Sequence, residues 1–330
     1  MRLSTFAFMC LIFFSSLLLP ASGFTTTNDK QFTIATIAFD TQFLDTQQGL
    51  KSKLAQLGFH EGVNIHYLVY DLKKDLSSIP EIINALHQQN CDLILTITTP
   101  VTLAVQKALQ GTKPIPVVFT MVADPLGSGI VHSLQKPGGN ITGISYNAFA
   151  IIPKELELFR EAFPQLQRIA LIYNHSEDWL SNPVKKIVIP AANKLNFMIT
   201  EYNVSNQLEM DLLLKSFDSK IQGIFMLPDP LVVSFFTDLV TLSRKYKLPM
   251  MVVDNTLLIK GGVMGYSPTF SAVGRQAGTM VNKILSQTPA GQLSVQRTRN
   301  LQLIISLREA NLLGITMPAA FLRQSDRIIR

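Results

Sequence analysis

The chain has 330 residues, 47% of them hydrophobic and 16% charged, a balance that excludes a disordered or low-complexity polymer. Lysine and arginine outnumber aspartate and glutamate by 29 to 23, but they are scattered and form no basic stripe, which argues against a nucleic-acid partner. A chain of this length exceeds what one hydrophobic core usually holds, so two lobes are expected.

Residues 1–23 carry one early charge, Arg2, then an apolar run from Phe6 to Leu19, then Ala21-Ser22-Gly23. That is the pattern of a secretory signal peptide, and the run is short for a membrane span. An uncleaved anchor is the alternative. No cysteine follows the run, so the expected product is a soluble periplasmic protein without a lipid anchor. Cys10 leaves with the leader. Cys91 then stands alone, just before an apolar strand, which predicts a buried, inert thiol over a reactive one.

Thr33–Ala38 is predicted as the first strand, with Phe39–Asp45 as the loop at its carboxyl end. Phe39 and Phe43 stand where that loop would face a cleft; stacking on a ligand ring and packing in the core are both open readings. A helix is predicted over Gln47–Leu57, a strand over Ile65–Tyr70 and a helix over Leu76–Gln89. Next comes a strand at Asp92–Ile97, a Thr98-Thr99-Pro100 turn and a helix over Val101–Leu109. Pro114–Thr120 is another strand. Asp124-Pro125, a further helix and the Pro137-Gly138-Gly139-Asn140 turn lead to a strand at Ile141–Tyr146.

Strand and helix alternating in this way make a parallel α/β unit, whose ligands sit outside the carboxyl ends of the strands. Thr98, Thr99 and Asp124 lie at such ends. Pro100 fits the first turn of a helix, and Thr99 is a natural N-cap. Two hydroxyls beside a positive helix end suit an anion such as a carboxylate. A plain cap with no ligand is the competing reading.

Beyond Tyr146 a second α/β series begins. Helices are predicted over Pro153–Phe163 and over Leu180–Leu195, the latter interrupted by Pro183 and Pro190. Strands are predicted at Arg168–Tyr173, Phe197–Tyr202, Ile221–Leu227, Pro249–Val253 and Val263–Tyr266. A helix over Ala272–Leu285 and a strand at Leu301–Ser306 follow. Asn174, Asp229 and Asp254 are the polar groups at strand ends in this half.

Enzyme chemistry finds little support. None of the five histidines is spaced as a metal pair, and HExxH, GxSxG and P-loop motifs do not occur. Asp124, Asp229 and Asp254 have an acid/base reading, but each also suits a cap or turn. Sequons at Asn140, Asn174 and Asn203 are read as chance matches.

Four stretches taken in order resemble one family: DLILTITTPVTLAVQKAL, IPVVFTMVADPLGSGIV, SLQKPGGNITGISY and LQLIISLREANLLGITMPAAFLRQSDRII. It is the ABC transporter substrate-binding protein family that includes tryptophan/tyrosine-type binding proteins, and the match runs from about Ile34 to Ile329. The resemblance implies a type I periplasmic-binding-protein fold of two doubly wound parallel-sheet lobes joined by a three-crossing hinge. The crossings are expected near Tyr146–Ala148, Tyr266–Ser267 and Ala290–Gln296. One lobe then comprises 31–146 plus 267–290, the other 147–266 plus 296–330.

It also implies a binding protein and no enzyme, with no cofactor and no metal, acting as a monomer. A small solute, an amino acid and by family precedent an aromatic one, would lie between the lobes. The expected ligand-binding residues are Phe39, Thr98, Thr99, Pro100, Asp124, Tyr146, Asn174, Asp229 and Asp254. Partners implied are an inner-membrane ABC permease and a separate ATPase. A stand-alone sensory protein that presents its ligand to a membrane receptor is the alternative. The chain departs from the common pattern at Leu227-Pro228-Asp229-Pro230-Leu231, where many relatives carry a polar PTDN run one residue longer.

Overall fold

The computed structural model of the chain describes residues 31–299 and 301–330; the expected signal peptide lies outside the described residues. The first half runs β1 (Phe32–Ala38), α1 (Asp45–Gln56), β2 (Ile65–Asp71), α2 (Ile79–Gln88), β3 (Leu93–Ile97), α3 (Thr99–Ala108), β4 (Val117–Val122) and β5 (Ile141–Ser145). The second runs α4 (Ala148–Ala162), β6 (Arg168–Tyr173), α5 (Asp178–Pro183), α6 (Ile189–Lys194), β7 (Met198–Asn203), α7 (Gln207–Ser216) and β8 (Gly223–Phe225). It continues through α8 (Pro230–Ser234), α9 (Phe236–Tyr246), β9 (Met250–Val252) and β10 (Met264–Ser267). The chain ends with α10 (Phe270–Leu285), β11 (Gln296–Arg297), β12 (Gln302–Ser306), α11 (Leu307–Leu313), α12 (Ala319–Leu322) and β13 (Arg327–Ile329).

These strands form two sheets. The first has the order β11-β5-β4-β3-β1-β2, the second β13-β12-β10-β9-β8-β6-β7. Every pairing in the first is parallel; in the second only β10 and β12 run antiparallel. Parallel strands covered on both faces read as unbroken apolar runs. β3, with sequence LILTI, is buried at every position. Two parallel-sheet lobes of this kind are the fold expected from the sequence.

Helix α10 returns from the second sheet to pack on α1 of the first. Glycines let the two backbones meet: a Cβ on Gly274 would lie 1.8 Å from the Thr46 carbonyl oxygen, and one on Gly49 would lie 2.0 Å from that of Ser271. Any larger residue at either position would force the helices apart. Cys91 is buried, and its Sγ donates to the Leu93 carbonyl at 3.2 Å.

Three sequence expectations change. The helix expected between Asp124 and Pro137 is absent. Asp124 Oδ1 accepts from the amides of Leu126 and Gly127, which fixes a turn there, and Gly129 has φ +73°, outside helical space. The stretch Leu180–Leu195 is α5, a π-helical segment at Val184–Val188 and α6, with the prolines near the junctions. The last crossing lies after Arg297, because β11 still pairs with β5 of the first sheet; this is later than Ala290–Gln296.

Candidate functional site

A cavity open in part to solvent lies between the carboxyl ends of the two sheets, with about 370 Å³ of non-atom space when its solvent-filled mouth is included. The first lobe supplies Phe43, Thr98, Thr99, Met121, Tyr146 and Phe270. The second supplies Pro228, Pro230, Val233 and Val253. The walls are therefore apolar, with the hydroxyls of the Thr98–Thr99 turn and of Tyr146 as polar points.

The strand ends are bent to build this surface. Thr98 leaves β3 with φ +89° and ψ 157°, and Met121 has φ +54°. Such conformations are costly for residues with a Cβ and cluster where function fixes the backbone. Thr98 holds its place through its amide, which donates to the Thr120 carbonyl at 3.0 Å. Its carbonyl accepts from the Thr102 hydroxyl at 2.8 Å. Its own hydroxyl is buried without a hydrogen-bond partner. The Thr99 hydroxyl accepts from the Ala123 amide at 3.2 Å, so it ties β4 to α3. Thr99 is the first residue of α3 and Thr98 occupies the cap position without a side-chain cap bond, one residue earlier than expected. The first-turn amides of α3 and the free Thr98 hydroxyl suit a carboxylate.

Asp254 follows Val253 and caps a short 3₁₀ turn, its Oδ1 accepting from the Thr256 amide at 2.6 Å. It is fully buried, and Oδ2 has no partner. Burial pushes its pKa up to about 7, and the Asp45 carboxylate of α1 in the other lobe adds to the rise, against the Thr256 bonds and Lys260. A buried carboxyl group with one free oxygen is a receptor for a cation. Glu155 of α4 is also buried, with Oε1 unpartnered. Burial lifts its pKa to about 8.

The other expected site residues separate. Asp229 is buried, but Oδ2 accepts from the Asn174 amide at 2.7 Å and Oδ1 from the amides of Leu231 and Val232. Both oxygens thus hold backbone, and Asp229 is a structural cap for α8. Its neighbours Pro228 and Pro230 form the wall. Asn174 Oδ1 closes a local turn with the amide and hydroxyl of Ser176. Asp124 lines a different groove, beside Asp178 and Trp179. Phe39 is buried in the first-lobe core, and Phe43 faces the cavity in its place, 5.4 Å from Phe270. Pro100 is the second residue of α3 and does not line the cavity. Met121, Val233, Val253, Phe270 and the two prolines were not expected from sequence; apolar residues past strand ends look the same as core residues there. No cluster of potential metal ligands occurs among the described residues.

Comparison with known proteins identifies the family and the fold. The family model for the ABC transporter substrate-binding protein matches residues 33–329. A tyrosine-binding protein of Clostridioides difficile (strain R20291) is 28% identical over 264 residues, 79% of this chain and 74% of that one. A solved conserved domain protein from Vibrio cholerae O1 biovar El Tor superposes with a TM-score of 0.83 at 26% identity, covering 91% of this chain and 100% of that one. A Streptococcus pneumonia ABC domain solved in complex with L-Trp gives 0.81 at 23% identity, with the same coverage. With its two lobes, its inter-lobe cavity and a family match over nearly all described residues, the chain belongs to the ABC transporter substrate-binding protein family, whose members are non-catalytic solute binders.

Proposed function

We propose that this protein is the solute-binding component of an ABC importer and takes an amino acid with a large apolar side chain. The observation that carries the reading is the polarity of the cavity. The Thr98–Thr99 turn, a carboxylate-type site, shares the cavity lining with Phe43, Phe270, Met121, Pro228, Pro230 and Val233, and the unpartnered acid Asp254 sits behind the lining as the chain neighbour of Val253. A zwitterion with an apolar body matches that layout. The tyrosine-binding and L-Trp-bound relatives support an aromatic side chain.

In this reading the ligand docks first on the Thr98–Thr99 turn. Closure then brings the proline wall and Asp254 onto it, and the closed form is handed to a membrane permease coupled to an ATPase. The leader at 1–23 would deliver the chain to the periplasm, where it works as a monomer. Closure is driven only by the difference in ligand affinity between open and closed states.

Mass spectrometry of ligand released on denaturing the purified protein tests the assignment, followed by calorimetry with the compound found. Release and binding of an aromatic or large aliphatic amino acid is the expected result. A sugar or an inorganic anion would reject it.

A further inference from the structure

The cleft has a second contact between its walls, far from the crossings. Strand β2 is the edge of the first sheet opposite β5 and β11. Just past it the chain makes a tight turn in which Lys73 and Lys74 both have positive φ, +48° and +72°. The turn is fastened to the end of β1: the Leu72 amide donates to the Ala38 carbonyl at 3.0 Å and the Lys74 amide to that of Phe39 at 2.9 Å. From there the Lys74 ammonium reaches the second lobe and stands 4.5 Å from the ring centroid of Phe235. Phe235, between α8 and α9, is only 4% exposed. No carboxylate lies within ion-pairing distance of Lys74 among the described residues.

We propose that Lys74 and Phe235 form a latch across the mouth of the cleft that sets how long a bound solute is retained. The inference rests on the amino-acid-binding reading above. The chain passes between the sheets after β5, β10 and β11, so a rotation about those connections would move the β2 edge, at the opposite side of the first sheet from β11 and β5, furthest. The contact therefore exists only near full closure. An interaction present in the closed state and absent from the encounter complex acts on dissociation and leaves association alone. The left-handed turn has a purpose in this arrangement. It aims the side chain of a residue at a strand end across the gap, and two lysines tolerate the unfavourable φ because the strand-end hydrogen bonds hold them. A cation over an aromatic face, partly shielded from water, is strong enough to matter and weak enough to release.

The test compares wild type with Lys74→Gln, Lys74→Arg and Phe235→Leu, using L-tyrosine and L-tryptophan as probes in stopped-flow association and chase experiments. Lys74→Gln should raise the dissociation rate about three- to tenfold and leave the association rate within about twofold. Lys74→Arg should restore slow release, since guanidinium also stacks on Phe. The urea midpoint of ligand-free Lys74→Gln should equal that of wild type, which separates a latch from a stability effect. Small-angle scattering supplies an arm that needs no ligand: because the contact forms only near full closure, ligand-free Lys74→Gln and wild type should share one radius of gyration. Wild-type release rates in Lys74→Gln, or a larger ligand-free radius for it, would overturn the latch. Failure of wild type to bind either amino acid would instead reject the ligand assignment, and the same chase experiment with the compound released from the purified protein would then decide the latch.

Discussion

The Tyr146 phenol donates a 2.7 Å hydrogen bond to the carbonyl of Val253. Tyr146 is anchored to the first sheet through its amide, which bonds the Val122 carbonyl at 2.8 Å, and Val253 directly follows β9 of the second. One side chain at a crossing point thus ties the two lobes together beside the cavity that both residues line. Tyr146→Phe should keep the ring's packing and lose this bond. A neutral hydrogen bond contributes about 0.5–1.5 kcal/mol, so the dissociation constant should rise roughly two- to tenfold. Calorimetry measures it; an unchanged constant would show that the bond persists in the open state.

Asp254 decides whether the ligand carries a cation. If an ammonium lands on its free oxygen, Asp254→Asn leaves that charge buried and unpaired, and affinity should fall by about two orders of magnitude or more. The pKa near 7 adds a second readout. An ammonium stabilises the ionised carboxylate, so wild-type binding near neutral pH should expel a proton, and affinity should rise as pH increases through about 7. Calorimetry in buffers of different ionisation heat counts the proton. Unchanged affinity with no proton release would remove Asp254 from the site.

The sequence made the strand ends and the Thr98-Thr99-Pro100 turn legible because short apolar runs, proline and cap residues follow local rules. The Asp124–Pro137 stretch misled because apolar spacing suggested a helix, whereas the Asp124 carboxyl captures the amides of Leu126 and Gly127. Asp229 was readable as a cap from Asp-Pro alone, and both its oxygens accept from backbone amides. Phe43 in place of Phe39, the two-proline wall and Lys74 on Phe235 depend on tertiary placement, which no single-chain periodicity encodes.

Glu155 gives the folded protein a pH dependence of its own. Burial lifts its pKa from 4.5 to about 8, so the folded state binds a proton that the unfolded state has released. The stability it allows is intact below about pH 4.5 and is lost as pH rises through about 8, at roughly 1.4 kcal/mol per pH unit within that window. Asp229 and Asp254, raised to about 6 and about 7, steepen its lower part. Glu155→Gln should remove one proton's share of the slope and be more stable than wild type at pH 8. Urea unfolding of ligand-free protein at pH 5, 6, 7 and 8 tests this; parallel wild-type and variant curves would refute it.

Thr98 combines strain with function. Its φ of +89° suits glycine, so Thr98→Gly should stabilise the fold by about 1 kcal/mol after the added entropy of the unfolded chain is counted. The same change deletes the unpartnered hydroxyl at the cavity and should weaken binding up to about tenfold. Thr98→Ala keeps the strain and loses only the hydroxyl. Thermal unfolding of both variants separates the effects, and a Thr98→Gly protein less stable than Thr98→Ala would show that the backbone there is unstrained.

The return of α10 and β11 to the first sheet bears on how the chain is made. A ribosome releases the first five strands of that sheet early, yet the helix that covers α1 and the strand that pairs with β5 emerge only after β6 to β10 of the second sheet. No nascent fragment short of Arg297 can complete the first lobe. Long-range closure of this sort is slow and leaves apolar surface uncovered meanwhile. The growing polypeptide therefore carries an incomplete first lobe, with the α1 face and the β5 edge uncovered, until synthesis has passed Arg297.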